Sequence, residues 1–491
     1  MESNIKINAP IEMLSNILIY IPNLYDYNYR LVNNNLNILI NDIFNRYYKK
    51  FKNIDRNWKN NIRNLVNTFF LEKDYSSIAF LYNNFKKSKY YIRYYTGYYG
   101  DYYIFNILSI HDFKTVAEGA AYAGKLEMVK LAVYHGATNY DKIAVYAAYG
   151  GHLNVLQYAI GKGINDIDPV IYAAAVKNNL VIIEYLVSIE ITYNKIAAVS
   201  ASAGNLSLVK HAVAQGATNF QEIANNAAEC GHLDIVKYAV ENGASDFNQI
   251  AIYAAIGGFL NIVTYAVDNG ADHFNEIANA AAECGHLDIV RFGVEHGALN
   301  YYEIAVSASK NGHLNVLQYV AAEVGRFFNY VAMAKIAAEY GQVNIVDYAF
   351  ANGVRNYDEL IKIATEHDRW NVIKYLIARG FKNYSEITRL AAQYGHLDII
   401  KRLGSMKKVK NYNEIAKIAT EYHHLTIVQY AIRKGANNYN QIAKIAAIIG
   451  ELDIVKYLVE NDYVTNYQSI LTMATKKNHE DIVNYIKSIT K

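Results

Sequence analysis

The sequence predicts an all-α protein built as a solenoid of short tandem repeats. Three observations predict it. First, a Gly or a residue in its place returns at 124, 151, 178, 204, 231, 258, 285, 312, 341, 368, 395, 423, 450 and 478, at spacings of 26 to 29 residues. Second, an aromatic residue stands eleven positions before nearly every one of these anchors, as at Tyr140, Phe220, Phe274, Tyr357 and Tyr467. Third, apolar residues recur at helical spacing on both sides of the anchor. A unit this short cannot bury its own apolar face, so copies must stack on one another.

Each element of the unit has a local reason. The residue after the aromatic is often Asp, Asn or Ser, as at Asp141, Asn194, Asn248, Asn275, Asp358, Ser385, Asn413 and Asn440. Such side chains accept from free backbone N–H groups at a helix start, so these positions are read as N-caps, with the aromatic as a hydrophobic staple. In one unit Asp168 is followed by Pro169, the favoured first helical position. An Ala-rich first helix follows, such as residues 276–282, whose small side chains allow close approach. After the anchor comes a second amphipathic helix, such as residues 286–294. It ends at another Gly, for example Gly243, Gly270, Gly297 or Gly435, as a left-handed C-cap requires.

Composition fits this reading. Of 491 residues 52% are hydrophobic and only 3 are Pro, and the formal net charge is +3. The sequence has no apolar run long enough to span a bilayer and no secretory pattern, so a soluble, cytoplasmic protein is expected. The two cysteines, Cys230 and Cys284, sit in identical Ala-Glu-Cys-Gly-His-Leu phrases, so they are copies of one position rather than a disulfide or metal pair. Most histidines occupy the slot after the anchor, at His152, His232, His286, His313 and His396, where a structural role is expected. No phosphate loop, nucleophile elbow or zinc-protease motif occurs. The expectation is a non-enzymatic monomer without cofactor or metal.

Residues 227–244 read Ala-Ala-x-x-Gly-His-Leu-x-Ile-Val-x-Tyr-Ala-Val-x-x-Gly-Ala, and this wording resembles the ankyrin repeat. The resemblance implies about 14 ankyrin-like units over 111–491 and a protein–protein interaction role. The unit departs from the family in lacking a Thr-Pro-Leu-His opening and in being about six residues short of 33. The missing part is the protruding hairpin, so recognition is expected on helix faces and short turns. The 46 tyrosines and abundant Asn, Ile and Lys, together with the repeat style, resemble the ankyrin-repeat proteins of giant DNA viruses that infect amoebae. That resemblance implies a viral protein acting on its host.

Residues 9–40 do not repeat. Pro10 and Glu12, the apolar Leu14, Ile17, Leu18 and Ile21, the break at Pro22, and Leu31-Val32 resemble an F-box. Residues 1–44 are therefore expected to form a small helical F-box-like segment. The F-box family docks on a Skp1-like adaptor and joins a cullin ubiquitin ligase; the same apolar helices could instead cap the end of the array. Residues 45–110 are expected to be a connector with degenerate repeats. Twelve Lys or Arg stand against four Asp or Glu over 41–94, and tyrosines crowd 90–99. A nucleic-acid site is the less favoured reading of this stretch.

Two columns are candidates for partner binding. Six residues before successive anchors stand Lys335, Lys362, Arg389, Lys417 and Lys444. In register they would form a basic ladder for an acidic partner, or pair locally with Glu339, Glu366 and Glu421. One residue before the anchors stand Tyr340, Tyr394 and Tyr422, aromatics of the type enriched at binding hot spots. Two functions follow: a substrate receptor that brings a protein target to a ubiquitin ligase, or a scaffold that binds or sequesters a host protein.

Overall fold

The computed structural model describes residues 61–107 and 112–490, with Tyr47, Lys49 and Lys50. The F-box-like positions of residues 9–40 lie outside the described residues. Among the described residues there are 32 α-helices, one 3-10 turn at Gly325–Phe327 and no strand. The chain divides into two compact units, Met1–Asp246 and Phe247–Lys491. Each is a stack of antiparallel helical hairpins.

The second unit is the more regular. Its nine hairpins run from Phe247–Gly257 with Leu260–Asp268 to Tyr467–Lys476 with Glu480–Ile489. Successive first helices pack directly on one another. Alanines make this possible: Ala254, Ala255, Ala281, Ala282, Ala337, Ala338, Ala446 and Ala447 are fully buried. Aliphatic pairs on the second helices, such as Ile289-Val290 and Ile454-Val455, close the core beneath them. Burial of this kind yields about 25 cal/mol per Å² of apolar surface, and only stacking supplies it.

The first unit holds seven described hairpins, two more than the anchor pattern from 124 onward accounts for. The extra pair are Ile62–Leu71 with Tyr75–Asn84, and Lys86–Tyr99 with Tyr102–Ile107. Lys73 (φ 52°) and Gly100 (φ 67°) form their left-handed turns, so the anchor column begins at 73. The substitutes for Gly elsewhere do the same: Asn178, Asp368, His423 and Asn478 have φ of 51°, 57°, 67° and 61°.

Two side-chain links repeat from hairpin to hairpin. The residue after the anchor donates to a carbonyl at the end of the preceding first helix. His152 Nε2 reaches Tyr122 O at 3.1 Å, His313 reaches Glu283 O at 2.9 Å, and His396 reaches Glu366 O at 2.8 Å. A carbonyl only accepts, so Nε2 carries the proton in each. Gln342 and Arg369 take over the task at Lys310 O and Glu339 O. The carbonyls served are among those a helix leaves without internal partners. The ring also claims the space over the preceding anchor: a Cβ on Gly285 (φ 86°) would lie 2.4 Å from His313 Nδ1.

The second link corrects the N-cap expectation. The first helices begin at the aromatic, and the N-cap is the residue before it. Asn383 and Asn411 accept there from Glu386 N and Asn411's own third residue on, Glu414 N. Asp141, Asn194, Asn248, Asn275, Asn413 and Asn440 lie inside the first turn. Their side chains reach instead to the turn of the next hairpin: Asn248 Oδ1 accepts from Asp272 N at 2.8 Å and His273 N at 3.0 Å, and Asn275 Oδ1 from Leu299 N at 2.9 Å. Their own helix has already placed them sideways, toward the neighbour.

Candidate functional site: the first-helix strip and a tyrosine cavity

The five cations of the ladder lie on the first helices of five successive hairpins of the second unit, Tyr330–Tyr340, Tyr357–Glu366, Tyr384–Tyr394, Tyr412–Glu421 and Tyr439–Ile449. Four of them stand beside carboxylates. Lys335 Nζ passes over Glu339 and meets Glu359 of the next hairpin at 2.6 Å. Lys362 lies 3.9 Å from Glu366, and Lys417 lies 4.0 Å from Glu421, each one turn along its own helix. Arg389 grips Glu386 through Nε at 2.9 Å and Nη2 at 2.7 Å, and donates to Gln393. The hydrogen bonds from Lys335 and Arg389 hold the carboxyls of Glu359 and Glu386 below the ordinary glutamate range. Lys444 is exposed and has no ion pair among the described residues. The strip is therefore a ladder of mixed sign that ends in one free cation.

The tyrosines run beside it. Tyr340, Tyr394 and Tyr422 are 41%, 41% and 45% exposed. Tyr394 donates its hydroxyl to Glu366 Oε1 at 2.9 Å, and Lys310 Nζ sits 5.7 Å from the Tyr340 ring centre. Half-fixed rings beside paired charges offer stacking area with hydrogen bonds already aimed, which suits recognition of a protein surface.

The first unit carries a second concave feature that the sequence reading missed. The helix Lys86–Tyr99 lies backbone to backbone on the helix Phe113–Tyr122: a Cβ on Gly97 would sit 1.9 Å from Val116 O, and one on Gly119 2.0 Å from Tyr94 O. This close crossing lines up Tyr90, Tyr91, Tyr94, Tyr95, Tyr98 and Tyr99 against Tyr122, Tyr146 and Tyr149, and with Arg63 and Asn67 they line a half-open cavity of about 700 Å³. The rings form a connected wall: Tyr94 to Tyr98 at 6.3 Å, Tyr98 to Tyr122 at 5.9 Å, and Tyr122 to Tyr149 at 5.7 Å. Tyr99 donates to Asn67 Oδ1 at 2.7 Å. Burial holds the Tyr94 phenol far above its usual range and raises Tyr90, Tyr99 and Tyr146 in the same direction. The signal lay in the sequence as Tyr-Tyr pairs at 90, 94 and 98, one helical turn apart.

Cys230 and Cys284 are both exposed, and neither forms a disulfide among the described residues. Among the described residues no three His, Cys, Asp or Glu side chains converge as metal ligands would, and no helix is long and apolar enough to cross a membrane.

No protein-family model matches the chain, and no curated protein does. Among solved structures, the crystal structure of the pentatricopeptide repeat protein PPR10 from maize aligns over 92% of this chain and 83% of that one, at 13% identity and a TM-score of 0.26. The ankyrin, viral and F-box likenesses rest on the sequence motifs. The hairpin stacks themselves establish an all-α protein of tandem helical repeats.

Proposed function

We propose that the chain is a non-enzymatic interaction protein, a substrate receptor whose repeats hold a protein target while residues 9–40 recruit a Skp1-like adaptor of a cullin ubiquitin ligase. One observation carries the binding role: the first-helix strip of the second unit aligns exposed tyrosines with paired and free charges over five hairpins. The ligase role rests on the F-box-like wording around Leu14, Leu18 and Pro22. Any chemistry on the target belongs to the recruited ligase.

The test is adaptor binding by the full-length protein, beside a Leu14→Asp, Leu18→Asp double variant. The expected result is binding by the wild type that the variant loses, with helical circular dichroism unchanged. A wild-type chain that does not bind the adaptor would remove the ligase role and leave a scaffold that binds or sequesters a host protein. On the strip, Tyr394→Ala with Tyr422→Ala is expected to weaken target binding by about tenfold or more, as loss of hot-spot aromatics does.

A further inference from the structure

The tyrosine cavity of the first unit has a chemistry distinct from the strip. Its lining consists of nine phenols, one amide and one guanidinium, with no carboxylate. Tyr94, Tyr98 and Tyr146 are half-buried, and burial raises the Tyr94 and Tyr146 phenols above their usual range, which keeps those two hydroxyls protonated. Arg63 is exposed on its helix, has no ion pair among the described residues, and shares a hydrogen bond with Tyr95. Glu118, whose charge acts on Tyr90 and Tyr146 of the lining, is buried and engaged by Asn139 at 3.0 Å and Lys142 at 3.5 Å. The cavity thus offers donors and π faces, and a volume in the range that holds a small molecule.

We infer that this cavity binds a small planar anion, an aromatic ring bearing a phosphate or carboxylate, the chemistry shared by a nucleoside monophosphate and an aryl phosphate. The ring would stack on Tyr94 and Tyr98, since aromatic faces accept planar rings without regard to their substituents. The anion would meet Arg63 and the phenol hydroxyls, because a guanidinium binds an oxyanion through paired N–H donors. Either part alone is weak: inorganic phosphate lacks the stacking and a neutral nucleoside lacks the charge.

The experiment is isothermal titration of the full-length protein with adenosine monophosphate, phenyl phosphate, adenosine and inorganic phosphate. Either aromatic phosphate is expected to bind with a Kd below about 1 mM, and adenosine and inorganic phosphate about tenfold or more weaker. Which of the two aromatic phosphates binds more tightly distinguishes a nucleotide from an aryl source. Arg63→Ala, an exposed position that leaves the fold intact, is expected to abolish the advantage of phosphate over adenosine. Tyr98→Ala, at one of the two stacking rings, is expected to weaken both aromatic phosphates and leave inorganic phosphate unchanged. The inference is overturned if neither aromatic phosphate binds, if Arg63→Ala has no effect, or if inorganic phosphate binds as well as they do. Capture of single-stranded RNA that adenosine monophosphate does not compete away would also overturn it.

Discussion

The first hairpins of the N-terminal unit and the regular hairpins of the C-terminal unit share one turn and differ in how they are joined. In the regular hairpins a His, Gln or Arg ties each turn to the helix before it, and alanines keep the helices close without touching backbones. Between residues 86 and 122 each helix sets a glycine against the other's backbone, Gly97 against Val116 and Gly119 against Tyr94. Helices that approach so closely leave no room for side chains at the crossing, so the bulky tyrosines are displaced to one side and line a half-open cavity. The difference teaches that a repeat array keeps its period while the chemistry at one joint changes, and that a site opens where the joint is tightest.

The largest expected effect tests that joint. In an ordinary helix Gly→Ala is stabilising by up to about 1 kcal/mol. At Gly119 the new Cβ would meet Tyr94 O, so Gly119→Ala is expected to destabilise the first unit by about 2 kcal/mol or more, seen as faster hydrogen exchange across 86–122. A variant as stable as the wild type would show that the helices do not cross this closely.

The regular joint gives an intermediate effect. His313→Ala removes one hydrogen bond between hairpins and should cost about 0.5–1.5 kcal/mol in denaturant unfolding. Gly285→Ala should cost more, through its left-handed backbone and its clash with the His313 ring. In a His313→Ala background the clash is gone, so a double-mutant cycle should show coupling of at least about 0.5 kcal/mol. Additive effects would break the proposed link between ring and anchor.

Asn275→Ser distinguishes a cap from a cross-link. Serine is as good an N-cap as asparagine. It is too short to reach Leu299 N in the next turn, so a loss of about 1 kcal/mol is expected; a neutral result would restore the capping role.

The smallest effects concern the strip. Glu359 and Glu386 have folded-state pKa values below their unfolded ones, so their contribution is present above the unfolded glutamate pKa of about 4.3 and is lost as pH falls through the depressed values. Replacing both with Gln should therefore slightly flatten the acid limb of a stability–pH curve below about pH 4.3, a small change because exposed pairs contribute little. Lys444→Gln, with no described ion pair, should leave the curve unmoved.

Much of the fold was legible because its period is written in residues with few alternatives. Aromatic, alanine pair, anchor and aliphatic pair return in order, and stacking is the only arrangement that buries them all. The hairpins at 62–107 were legible only as degenerate repeats, because Lys73 replaces Gly in a left-handed turn and because tyrosine replaces alanine on the packed helix. The strip's positions were legible as columns, whereas the partner of Lys335 was not, since Glu359 is close only once two hairpins stack.

The sequence by itself determined the all-α repeat, its turn positions and its helical faces, because these follow from local propensity and periodicity within about 27 residues. Only the tertiary structure decided what crosses between units of the repeat. It turned supposed caps into cross-links, gave the histidines a carbonyl some 30 residues away, and folded a run of tyrosines into a cavity wall. The physical reason is one of distance: a side chain's reach spans neighbouring hairpins, and which groups it meets there depends on how closely the backbones pack.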